Sequence, residues 1–196
     1  MSQAAVERAP VAVLFVQGAG AHAHDADRAL ADTLAQELGD RFQVVFPRLP
    51  GEADPDTEAW KRAIAAEAHR AGAAIVVAHS AGAANVADLM AEGRYGRDMP
   101  RLRGLFLLAP PFVGPGGWAL EGFHLDHATS RQSLDGLPLH LYFGSADATV
   151  PPAHATLYAA VFPDAAIHRL RDCDHQFAGH LGRVAHDIRG VVDAPA

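Results

Sequence analysis

At 196 residues the chain is sized for one domain, and a domain of this length buries roughly 70% of its unfolded surface without a disulfide or metal staple. Apolar residues make up 49%, charged residues 20%, and the formal net charge is −7. That balance excludes a basic nucleic-acid-binding face, gives no attraction to anionic membranes, and with a single cysteine, Cys173, excludes an internal disulfide.

The opening residues reach Glu7 and Arg8 before any apolar run builds, so residues 1–10 are expected to form a flexible segment. Val11–Val16 is unbroken and apolar, the pattern of a strand buried on both faces. It is too short for a signal-peptide core or a bilayer span, which predicts a cytoplasmic protein. Leu30, Leu34 and Leu38 predict a helix over 28–38, ended by Gly39. A strand over 43–46 and a loop over 48–56 follow, then a helix capped by Thr57 and closed near Gly72. Further strands are expected over 73–78, 104–108, 138–143 and 166–170. Helices are expected over 81–92, 152–161 and 179–192, and an irregular stretch over 112–137. This alternation predicts an α/β fold, a single domain spanning 1–196, with three α/β/α layers and a mostly parallel sheet of about six strands.

Ser80 falls where the strand over 73–78 gives way to a helix, flanked by the small residues Ala78 and Gly82. A nucleophile elbow has this form: strand, sharp turn, helix, with no room for bulk two residues to either side. The alternative is a serine that merely caps a helix. Serine needs a base, and the base needs an orienting group; in a parallel sheet such groups collect in the loops after strands. Asp147 follows the fifth strand and His175 the sixth. Of the 12 histidines, His168 falls on a strand and His180 and His186 on a helix, whereas His175 is in the loop. Asp147 competes with a turn or cap aspartate, and Asp172 and Asp174 are too close in sequence to His175 to reach back to its ring. The oxyanion donors are expected to be the N–H groups of Ala81 and Ala19, with Gly18 second to Ala19. His79, His22, Phe112, Trp118 and Phe123, with His124, are expected to line the substrate pocket, against ordinary packing as the alternative. His22, His24 and Asp25 are weighed as metal ligands and set aside as solvated loop residues, so no metal and no cofactor are expected.

Gln17-Gly18-Ala19-Gly20, His79-Ser80-Ala81-Gly82, Asp147 and Asp174-His175-Gln176-Phe177 together resemble the α/β-hydrolase superfamily over residues 11–190. The resemblance is to small dienelactone-hydrolase-like and carboxylesterase-like members with little or no lid. Ala78 replaces the first glycine of the usual elbow, and Gln17 stands where many members carry histidine. The serine sets the chain apart from the dehalogenases, which use aspartate, and from the dienelactone hydrolases proper, which use cysteine. The resemblance implies hydrolysis of small carboxylic esters through an acyl-enzyme. A thioesterase or serine peptidase using the same three residues, or an inactive binding protein, are the alternatives. The partner expected is a small ester, with no nucleic acid and no membrane; a homodimer is a permitted assembly.

Overall fold

A strand apolar on both faces has to be covered on both. In the computed structural model, which describes residues 9–123, 125 and 136–194, helices do this from two sides. Six strands are described: β1 (Val11–Val16), β2 (Phe42–Val45), β3 (Ile75–His79), β4 (Gly104–Leu108), β5 (Leu139–Gly144) and β6 (Ala166–Leu170). They form one sheet in the order β2-β1-β3-β4-β5-β6, with every neighbouring pair parallel. The described helices are α1 (Ala23–Leu38), α2 (Thr57–Ala71), α3 (Ser80–Ala91), α4 (Tyr95–Asp98), α5 (His154–Val161) and α6 (Leu181–Asp193).

The period-2 alternation sorts the core into two layers. Val13, Phe15, Ile75 and Val77 face Leu30 and Leu34 of α1 and Val184 and Ile188 of α6. Leu14, Val76, Leu105 and Leu141 face Trp60 and Ile64 of α2, Val86 and Leu89 of α3, and Tyr158 of α5. Each such side chain, fully buried, contributes about 1.5–3 kcal/mol of transfer free energy. Among the described residues, no helix is long and apolar enough to cross a membrane.

Several boundaries differ from those expected. α1 begins at Ala23, five residues before Arg28, and its first turns bury His24 and Asp27. No side chain caps it, and His22 precedes it at φ 64°. The residue that caps α2 is Asp56, whose side chain accepts the Ala59 N–H at 2.6 Å; Thr57 is the first helical residue. The short helix α4 lies where no element was expected. Residues 1–8, with most of the segment expected to be flexible, and His124 lie outside the described residues.

The chain turns from β1 out to β2, then crosses back to place β3 on the other side of β1. At such a switch point two loops leave neighbouring strands in opposite directions and open a crevice at their carboxyl ends. Here those are the loop after Val16 and the turn at Ser80.

Candidate active site

Ser80 joins β3 to α3 with φ 51°, in the left-handed region that a non-glycine residue rarely adopts. The turn is tight because α3 starts against the end of β1. A Cβ on Gly82 would stand 2.2 Å from the Gln17 carbonyl oxygen and 2.8 Å from a Val16 methyl. A Cβ on Gly18 would meet the Ser80 Cβ at 3.1 Å. Ala78 is fully buried, so this elbow position accepts one methyl. Gly82→Ala is expected to destabilise the fold by about 3 kcal/mol or more, since backbone on one side leaves no flexible atom to yield. Chemical denaturation would read this as a lowered midpoint.

His175 sits in the loop after β6 and Asp147 in the loop after β5. The His175 Nδ1–H donates to Asp147 Oδ2 at 2.8 Å, and Nε2 lies 3.1 Å from Ser80 Oγ. With the ring proton on Nδ1, the Nε2 lone pair faces the serine hydroxyl. The Asp147 side chain is 1% exposed, and its Oδ1 accepts the N–H groups of Thr149 and Val150, each at 2.8 Å. Neither Asp172 nor Asp174 bonds the ring. The two loops are stitched together by local contacts. Ala146 N donates to the Cys173 carbonyl and Ser145 N to that of Leu170, both at 2.9 Å, while Asp172 N donates to Ser145 Oγ. Glycine is required at 144, where a Cβ would lie 2.2 Å from the Cys173 oxygen. Cys173 itself is buried; burial, then the charges of Asp174 and Asp147, push its thiol up to about 11, which leaves it protonated and a poor nucleophile.

The loop after β1 is braced from two sides. Gly18 N donates to Asp27 Oδ2 at 2.7 Å and Gly20 N to the Glu52 carbonyl at 2.7 Å. Gly18, expected as a second oxyanion donor, is therefore spent: its N–H is bound to a carboxylate. Among the described residues the Ala19 N–H has no partner, and the Ala81 N–H belongs to the first turn of α3, whose N–H groups lack intrahelical acceptors. Gln17 is fully buried: Oε1 accepts the Leu49 N–H at 3.0 Å, and Nε2 donates to Glu52 Oε2 at 2.8 Å. Glu52 also accepts the His24 N–H, and these bonds hold its carboxyl below the usual range.

Two residues expected in the pocket are almost fully buried. Phe112 is 3% exposed and packs edge-on against Tyr158 at 5.3 Å, as a core residue. His79 is 2% exposed with both ring nitrogens engaged inside the protein. Trp118 and Phe123 are half-buried; Trp118 meets the buried His154 edge-on at 5.7 Å, and His22 is exposed. His154 Nδ1 accepts the Phe112 N–H at 2.8 Å, and burial pulls this histidine's pKa down. His24 stacks on Phe46 at 4.3 Å, and Asp25 pairs with Arg48. Sequence reasoning missed Asp27, Glu52 and His154, for which a solitary polar residue carries no local signal.

A second histidine group lies between the sheet and α6. His140 Nδ1 and His168 Nε2 are 3.1 Å apart, with Asp187 beside them. Arg183 donates to His168 Nδ1 at 3.1 Å and to Asp187 Oδ2 at 2.7 Å. An arginine can only donate, so His168 carries its proton on Nε2, directed at His140. The guanidinium and this direction of bonding oppose a cation there.

The family model described as serine hydrolase matches residues 14–183. No curated protein matches the chain. Solved structures do. Est1E from Butyrivibrio proteoclasticus is 15% identical with a TM-score of 0.64, over 95% of this chain and 88% of that one. The esterase domain of a Rhodothermus marinus protein is 15% identical with a TM-score of 0.60, over 94% and 88%. The monoacylglycerol lipase of Paleococcus ferrophilus is 15% identical with a TM-score of 0.60, over 92% and 93%. At such identities the likeness is one of fold.

Proposed function

The chain belongs to the serine hydrolase family and has a minimal α/β-hydrolase fold; from that premise we propose that it hydrolyses small carboxylic esters through an acyl-enzyme. The observation that supports this reading is the relay from Asp147 to His175 to Ser80, at 2.8 and 3.1 Å. In it, Ser80 Oγ attacks the ester carbonyl as its proton passes to His175 Nε2. The imidazolium then gives that proton to the departing alkoxide, which leaves as the alcohol. Water enters, loses a proton to the same nitrogen and attacks the acyl carbon. Ser80 Oγ takes the proton back and the acid departs. Asp147 holds the ring in the tautomer that can accept and balances its charge after it has done so. The N–H groups of Ala81 and Ala19 receive the oxyanion. All proton movements run through His175, so the scheme calls for no cofactor.

Esters are favoured over thioesters and peptides because fold relatives include an esterase domain and a monoacylglycerol lipase. Short acyl groups are favoured because a chain of 196 residues leaves little room for a lid. The test is a fluorophosphonate probe followed by a panel of p-nitrophenyl esters of rising acyl length, with a thioester and an aminopeptidase substrate alongside. The expected result is labelling that vanishes in Ser80→Ala and fastest turnover of the shortest esters. Labelling that survives the substitution would overturn Ser80 as nucleophile. Faster turnover of long-chain esters, of the thioester or of the peptide substrate would overturn the short-ester reading.

A further inference from the structure

Four chain segments meet behind the catalytic residues: the oxyanion loop at Gly18, helix α1 at Asp27, the end of β3 at His79, and the loop that carries His175. Their contacts converge on one imidazole. His79 Nδ1 lies 2.9 Å from Asp27 Oδ2, and His79 Nε2 lies 2.9 Å from the backbone carbonyl oxygen of His175. Asp27 Oδ2 also accepts the Gly18 N–H at 2.7 Å. The side chains of His79 and Asp27 are 2% and 3% exposed, so no water competes for these bonds. The His79 and His175 rings lie 4.8 Å apart, and Phe177 closes the far side edge-on.

A carboxylate and a carbonyl oxygen can only accept. The His175 carbonyl requires a proton on Nε2; the Asp27 bond is then made with its proton on either side, as Nδ1–H to the carboxylate or as the carboxylic acid O–H to a bare Nδ1. Burying such a pair is costly, and apolar side chains of equal volume would fill the space at least as stably. What apolar side chains could not do is hold one backbone N–H and one backbone carbonyl at set positions. Those two groups belong to the loops that carry the Ala19 donor and the His175 base.

We propose that Asp27 and His79 are positioning residues: a buried, hydrogen-bonded Asp–His clamp that sets the oxyanion loop and the His175 backbone relative to Ser80. The proposal rests on the hydrolase reading above. Neither residue touches the reacting atoms; both act through Gly18 and His175. Misplacing a catalytic group by about 1 Å costs on the order of 10² in rate. Asp27→Ala and His79→Phe are accordingly expected to lower kcat by about 10–100-fold with KM nearly unchanged, the pattern of an interaction needed only in the transition state. Asp27→Asn keeps an acceptor oxygen for Gly18 and His79 and is expected to fall between wild type and Asp27→Ala.

A second readout does not depend on turnover or on the variants folding. In the 15N-histidine-labelled wild type, sequentially assigned, His79 Nε2 should resonate as a protonated N–H with slow proton exchange. A bare Nε2, or a ring N–H that exchanges as fast as an exposed one, would overturn the clamp whatever the activity. An active wild type whose folded Asp27→Ala and His79→Phe variants keep full kcat would overturn the clamp alone. A wild type that takes no fluorophosphonate label and turns over no substrate would overturn the hydrolase reading, with the resonance measurement still deciding whether the clamp exists.

Discussion

Ser80→Ala is expected to lower kcat by about 10⁶-fold, the scale seen when a triad nucleophile is removed and only oxyanion binding and orientation remain. The substitution takes away the one oxygen that faces His175 Nε2, at 3.1 Å. It leaves the elbow untouched: alanine has the same Cβ, and the φ of 51° strains it no more than serine. Folding should therefore hold while catalysis is lost. Steady-state hydrolysis of a short p-nitrophenyl ester, with thermal unfolding on the same sample, separates the two. Residual kcat within a hundredfold of wild type would mean that another group attacks the ester.

Asp147→Asn is the second large effect, expected at about 10⁴ in kcat. The argument turns on which way the amide must face. Oδ1 of Asp147 accepts the N–H groups of Thr149 and Val150, each at 2.8 Å. In the variant the amide oxygen has to keep that place, because an NH₂ there would oppose two donors. The NH₂ then points at His175 Nδ1, 2.8 Å from the replaced Oδ2, and requires that nitrogen to accept. The ring proton moves to Nε2, where it blocks uptake of the Ser80 proton. The structure survives and the tautomer is wrong. KM should change little against so large a fall in kcat, and a loss of less than tenfold in kcat would overturn Asp147 as the orienting group.

Much of this arrangement can be read along the chain. The apolar run at 11–16 reads as a strand covered on both faces and the run at 104–108 as a further strand, and the structure places β1 and β4 on those bounds. Small residues at 78 and 82 recorded the close approach of α3 to β1, since they are what the space beside Gln17 and Val16 admits. Asp147 and His175 stood out because a parallel sheet gathers its post-strand loops on one rim. His79 and Phe112, expected in the pocket, are both buried and engaged inside the protein. Their position next to the nucleophile and after β4 was visible; the direction each side chain takes was not.

The chain's own pattern thus determined the sheet, its two covered faces and the three loops that meet at Ser80, because repeating burial leaves a repeating apolar trace. Tertiary structure alone decided how those loops are held. His79 bonds Asp27 across 52 residues and the His175 carbonyl across 96; Gln17 reaches Leu49 across 32. A buried polar residue looks the same along the chain as an exposed one, because what distinguishes them is a partner that folding supplies.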